Sequence, residues 1–102
     1  MESVEQVKTF LRGQNLEQVD RTDEAIELYE TCVGAGFDAT GPYDRLITIY
    51  SHRAQHGDVI RVAELALKNV QTYADKKAFY ERMKSEAAKA AAKVPPAAKK
   101  RS

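Results

Sequence analysis

Asp23-Glu24-Ala25-Ile26-Glu27-Leu28-Tyr29-Glu30-Thr31-Cys32 is the stretch that decides the fold. Ala25, Leu28, Tyr29 and Cys32 stand at i, i+3, i+4 and i+7, the spacing that lines up one face of a helix. Asp23 and Glu24 complement the positive end of that helix's dipole. The same spacing returns 38 residues on, in Ala63, Ala66, Leu67 and Val70. Between the two copies, Tyr43, Leu46, Ile47 and Tyr50 make another helical face. The underlying unit is therefore a pair of helices used more than once.

Working outward, residues 3 to 19 read as a first helix, with Val4, Val7 and Leu11 on one face and Leu16 and Val19 turned away from them. Gly13 costs about 1 kcal/mol of helix propensity relative to alanine and admits either a bend or a close helix approach. Thr22, in the turn Asp20-Arg21-Thr22, is the expected cap of the second helix. That helix runs to about Val33, Gly34-Ala35-Gly36 stops it, and Phe37 is expected to tuck back into the core. Pro42 sits in the first turn of the third helix, where a missing amide hydrogen costs nothing. The third helix is expected to continue towards Gln55 and end near Gly57, with Asp58 capping a fourth that runs to about Thr72. Asp75 opens a fifth, striped by Phe79, Tyr80, Met83 and Ala87 and otherwise largely charged, as suits a helix that covers the open end of a stack. Alanine prolongs it to Lys93, Pro95-Pro96 ends it, and the remaining residues have too little apolar bulk to fold. The expected organisation is a helical domain over 1–93 and a disordered basic Ala/Pro/Lys tail over 94–102.

At 102 residues, with 43% hydrophobic and 30% charged residues, the composition is that of an ordinary soluble domain. No apolar run approaches the roughly 20 residues of a membrane span, and the acidic start Met1-Glu2-Ser3-Val4-Glu5 lacks a signal peptide's basic and apolar segments. The expectation is a cytoplasmic protein with no membrane partner. Cys32, the single cysteine, lies on the apolar stripe and reads as a small buried residue. The formal charge of +1 conceals an asymmetry: Lys89, Lys93, Lys99, Lys100 and Arg101 put +5 on residues 87–102, leaving −4 on the rest.

With the pairing in view, the chain resembles the tetratricopeptide repeat family, whose units are antiparallel helix pairs of 34 residues. Gly13, Leu16, Ala25, Tyr29 and Cys32 match its pattern, followed by Tyr43, Leu46, Ile47 and Tyr50, then Ala63, Leu67 and Val70. The resemblance covers roughly residues 8 to 71. It departs at Ile47, where a small residue is usual, at Phe37, where proline is common, and at Arg12, a site usually apolar. The 38-residue spacing adds about four residues to the second unit, most simply placed in Ser51 to Gly57. The implied fold is all-α: an antiparallel helix-hairpin stack of α-solenoid type, two such pairs and a C-terminal capping helix.

The resemblance implies that the first helices of successive units line a surface that binds a peptide or helix of another protein. Here that surface would draw on Gln14, Gln18, Asp44, Arg45, Thr48, Ser51 and His52. The family's lysine and asparagine clamp for a terminal carboxylate is missing. Self-association to a homodimer through the first or last helix is a variant. A second resemblance is to the pentatricopeptide RNA readers, with Asp44 at the base-selecting place, but two units supply little affinity. The rival function is nucleic-acid association by the basic tail, through phosphate contacts of Lys93, Lys99, Lys100 and Arg101. His52 and His56, four apart on the third helix, lack further ligands, so neither metal nor cofactor is expected. No phosphate loop or paired nucleophile and base marks an enzyme. Tyr29, Tyr43, Tyr50, Phe79 and Tyr80 fall at core spacing.

Overall fold

The computed structural model describes residues 3–70 and 74–93, which form five helices and, among the described residues, no strand. They are α1 (Ser3–Gln18), α2 (Thr22–Gly34), α3 (Thr40–His52), α4 (His56–Asn69) and α5 (Ala74–Ala92). Each packs against the next, and α2 also meets α4 as α3 meets α5. The chain thus zigzags between two layers, α1, α3 and α5 in one and α2 and α4 in the other. Its shortest dimension is 19 Å, that of two layers whose axes lie about 8–10 Å apart. The architecture is an all-α stack of adjacent helix pairs. No helix among the described residues is long and apolar enough to cross a membrane.

The repeated spacing accounts for the core. Ala25, Tyr29 and Cys32 of α2 and Ala63 and Ala66 of α4 are fully buried, as are Tyr43 and Leu46 of α3 between them. Alanine at the crossings lets the helices approach, and the larger α3 side chains fill the volume so created, each aliphatic one contributing about 1.5–3 kcal/mol on burial. Cys32 donates its thiol hydrogen to the Gln6 carbonyl at 3.4 Å, and burial pushes the thiol above its ordinary value. At the far end, α5 buries Tyr80 and Ala87 and packs Phe79 and Met83 against the core. Lys76 and Arg82 lie over the Phe79 ring, 4.1 and 5.6 Å from its centre, attracted by its negative face.

Three helix ends use one device. After α2, Gly36 turns left-handed (φ 76°), and the Phe37 N–H returns to the Cys32 carbonyl at 3.2 Å, satisfying a carbonyl the helix leaves open. Asp20 (φ 63°) does the same after α1 and Ala54 (φ 57°) after α3. There the Arg21 and Gln55 amides reach Leu16 and Tyr50 at 2.8 and 2.9 Å. Glycine enters this conformation freely; a residue with a Cβ does so at about 1–2 kcal/mol.

Several expected details are corrected. Thr22 is the first helical residue and caps nothing: Arg21 holds the cap position without a side-chain capping bond, and its guanidinium folds onto Glu24 instead, 2.9 Å from Oε1. α3 stops at His52 because the chain turns left-handed at Ala54, so only Arg53-Ala54-Gln55 connects it to α4. The additional residues of the second unit are therefore no linker. Ala25 is the fourth residue of α2 and Ala63 the eighth of α4, so they form one more turn at the start of α4. Asp58 lies within that turn rather than at the cap and accepts the Gln55 Nε2 hydrogen at 2.9 Å. His56 opens α4 while His52 closes α3, so the two histidines do not share a helix. Phe37 is half-buried at the edge of the core, and its carbonyl accepts the Tyr43 hydroxyl at 2.7 Å. The fourth helix ends at Asn69 rather than near Thr72, because Val70 turns extended; Thr72 itself and the tail 94–102 lie outside the described residues.

The largest departure is in α1. Val4, Val7 and Leu11 share a face as expected, but that face is open, at 63, 43 and 51% exposure. The packed side is Gln6, Phe10 and Gly13. A Cβ at Gly13 would stand 2.6 Å from Tyr29 Cε1, and one at Gly41 of α3 would stand 2.5 Å from Phe10 Cζ. Both glycines serve close approach, and α1 is seated on the core by the strip where it lacks bulk.

Candidate functional site

The side chains that fix the helices to one another form a repeated arrangement: a carboxylate that accepts a tyrosine hydroxyl and a cation from other helices. Glu17 of α1 accepts the Tyr29 hydroxyl at 2.7 Å and both arms of Arg45 at 3.0 and 2.6 Å, tying α1 to α2 and α3. Glu30 of α2 accepts the Tyr50 hydroxyl and both arms of Arg61 at 3.0 and 2.6 Å, tying α2 to α3 and α4. Asp44 of α3 accepts the Tyr80 hydroxyl at 2.9 Å and Lys76 at 3.1 Å, tying α3 to α5. A buried phenol needs an acceptor, and a carboxylate on the neighbouring helix has lone pairs left for a cation.

The electrostatics follow from these contacts. Arg45 holds the Glu17 carboxyl below its ordinary value, with help from Tyr29 and against burial, and Glu17 in turn raises Arg45. Burial first, and then the adjacent carboxylate, drives Tyr29 and Tyr50 far above the ordinary phenol value. Tyr80 is raised likewise by burial and by Asp44. All three carboxylates are committed to cations, so none is an unpaired acid or base.

Around the first cluster lies a hollow of about 350 Å³ between α1 and α3, lined by Gln14, Glu17, Gln18 and Arg45. Of the expected groove residues, Gln14, Gln18 and Arg45 come together here. Arg45 faces this hollow with its guanidinium already spanned by Glu17, so the lining groups with no partner among the described residues are the two amides. Thr48 spends its hydroxyl hydrogen on the Asp44 carbonyl at 2.9 Å, and His52 is exposed at the end of α3. Asp44 turns away to α5 in the third cluster. Ser51 lines a separate crevice of about 200 Å³, with His56, Val59 and Met83 among its walls.

On the tail side, Lys93 is exposed just beyond α5, while Lys99, Lys100 and Arg101 lie outside the described residues. No group of three or more metal-ligating side chains converges among the described residues. Sequence reasoning missed Glu17 and Glu30 as organising residues. The one signal for them was indirect: tyrosines assigned to the core must place their hydroxyls on something.

Along α1, Gln14 and Gln18 continue the open face of Val7 and Leu11, since they stand three to eleven residues on at helical spacing. The layer of α1 and α3 therefore offers an uncovered apolar strip beside two free amides. No protein-family model matches the chain, and neither a curated protein nor a solved structure matches it.

Proposed function

We propose that this chain is a non-catalytic, tetratricopeptide-like module that binds another protein across the α1 and α3 surface. The observation that carries the reading is the uncovered strip itself: Val7 and Leu11 remain 43 and 51% exposed immediately beside the hollow of Gln14 and Gln18. Apolar groups in such a place supply affinity to a docked peptide or helix, and the amides set its orientation. The commitment of Glu17, Glu30 and Asp44 to structural cations supports binding over acid–base chemistry, which needs carboxyls in opposed environments.

The test is capture of partners by the full chain from nuclease-treated lysate of its source cell, wild type against Gln14→Arg, Gln18→Arg and His52→Glu together. These positions leave the Glu17–Arg45 pair intact. The expected result is a defined protein retained by the wild type and lost by a variant with unchanged helicity and melting. An identical captured set from both would refute the surface, and recovery confined to nuclease-sensitive material would favour nucleic-acid association.

A further inference from the structure

α1 carries a second strip that no other helix among the described residues packs against. Val4, Val7, Leu11, Gln14 and Gln18 recur at alternating steps of three and four residues, the 3.5-residue period of a coiled-coil seam. None of them is buried, and the three apolar ones are 63, 43 and 51% exposed. The helix packs into the fold by Gln6, Phe10 and Gly13 instead. A seam of this period presents knobs and holes to a helix, whereas an extended segment would meet alternate residues.

The flanks specify the charge of what fits. On the inner side the seam is closed by α3, through the Phe10–Gly41 contact and the Glu17–Arg45 pair. On the outer side stand Lys8 and, one turn to either side of it, Glu5 and Arg12, an edge of net positive charge. Arg12 has no acid partner among the described residues. Lys8 reaches only Glu5, at 3.9 Å between largely exposed side chains, a pair that contributes little. A second copy of the chain suits this flank poorly: antiparallel pairing that sets Val7 against Leu11 of the other copy brings the two outer flanks together, Lys8 beside Lys8. An acidic edge meets the same flank favourably.

We propose that α1 docks an amphipathic helix of a partner protein, apolar along a heptad seam and acidic along the edge facing Lys8 and Arg12. This rests on the protein-binding reading and names the chemistry of its partner. Gln14 and Gln18 close the seam at one end with polar groups, and polar residues in a seam fix register. The partner helix therefore carries hydrogen-bonding side chains at that level.

The experiment uses the full chain and two labelled synthetic helices of about three heptads, both with leucine along the seam, one flanked by glutamate and the other by lysine. Binding is read by fluorescence anisotropy. The glutamate peptide is expected to bind at least about tenfold more tightly, a preference that shrinks with salt. Leu11→Asp removes that binding, and Lys8→Glu with Arg12→Glu transfers the preference to the lysine peptide. The charge-reversed variant alters only exposed side chains, so it decides the question even if Leu11→Asp disturbs folding.

Three results would overturn the proposal. One is no binding of either peptide. Another is equal binding of both with no transfer on charge reversal, which removes the acidic partner while leaving protein binding intact. The third is a concentration-dependent dimer by sedimentation that Leu11→Asp dissolves, which makes a second copy the occupant. Loss of the captured partner in the Gln14, Gln18 and His52 variant is a separate readout, so the two readings fail separately.

Discussion

Raising the pH above 10 will unfold this protein through its tyrosines. Tyr29, Tyr43, Tyr50 and Tyr80 are buried, and burial raises each above the ordinary phenol value of 10.0. For three of them the hydroxyl rests on a carboxylate, which opposes a second negative charge at the same place. Above pH 10 the unfolded chain releases these protons and the native state keeps them, so the unfolded state binds fewer protons and stability falls as pH rises. The contribution is fully present below pH 10 and is lost progressively towards the folded values. Tyr29, Tyr50 and Tyr80, raised far above the ordinary value, remove about 1.4 kcal/mol per pH unit apiece and about 4 together, and Tyr43 acts in the same direction.

A domain of this size is stable by about 5–15 kcal/mol, so unfolding sets in above about pH 11. Phenolate absorbance and far-ultraviolet circular dichroism, followed together, should change in one cooperative step. With Tyr29→Phe, Tyr50→Phe and Tyr80→Phe combined, only Tyr43 remains of the four, and the pH dependence falls to about a quarter or less. Ionisation of the four phenols near pH 10 with the helical signal intact would refute the reasoning, because it would mean that neither burial nor the carboxylates hold them neutral.

Two further perturbations set local propensity against tertiary contact. Gly13→Ala gains about 1 kcal/mol of helix propensity, yet its Cβ would meet Tyr29 Cε1 at 2.6 Å, and Tyr29 is pinned by Glu17. Urea unfolding should show a net loss of about 1–3 kcal/mol; a stabilised variant would show that the ring can move aside. Ala54→Gly should do the reverse, since Ala54 sits at φ 57° in the conformation glycine enters without cost. A gain of about 1 kcal/mol is expected by the same assay, and a loss would contradict the assigned turn.

The helices and most of the core were legible in the sequence because their signal is local. Ala25, Tyr29 and Cys32, Tyr43, Leu46 and Ile47, and Ala63 and Ala66 announce their burial by spacing alone, and periodicity needs no knowledge of the partner element. The candidate surface was legible only in part. Gln14, Gln18 and Arg45 line one hollow, but Asp44, on the same helix face by spacing, is drawn to Tyr80 and Lys76. That choice depends on where α5 lies, which no feature of α3 encodes.

What the sequence determined by itself was the all-helical class, the pairing of helices and the stop after α2, where Gly36 supplies the left-handed turn. Tertiary structure decided the rest. It seated α1 by Phe10 and Gly13 rather than by the more apolar strip of Val4, Val7 and Leu11, because glycine lets a backbone approach a ring that a side chain would keep away. It also joined Glu17 to Arg45, Glu30 to Arg61 and Asp44 to Tyr80 across 28, 31 and 36 residues of chain. Such bonds leave no periodic trace. They arise from buried hydroxyls and charges finding acceptors once the helices have met.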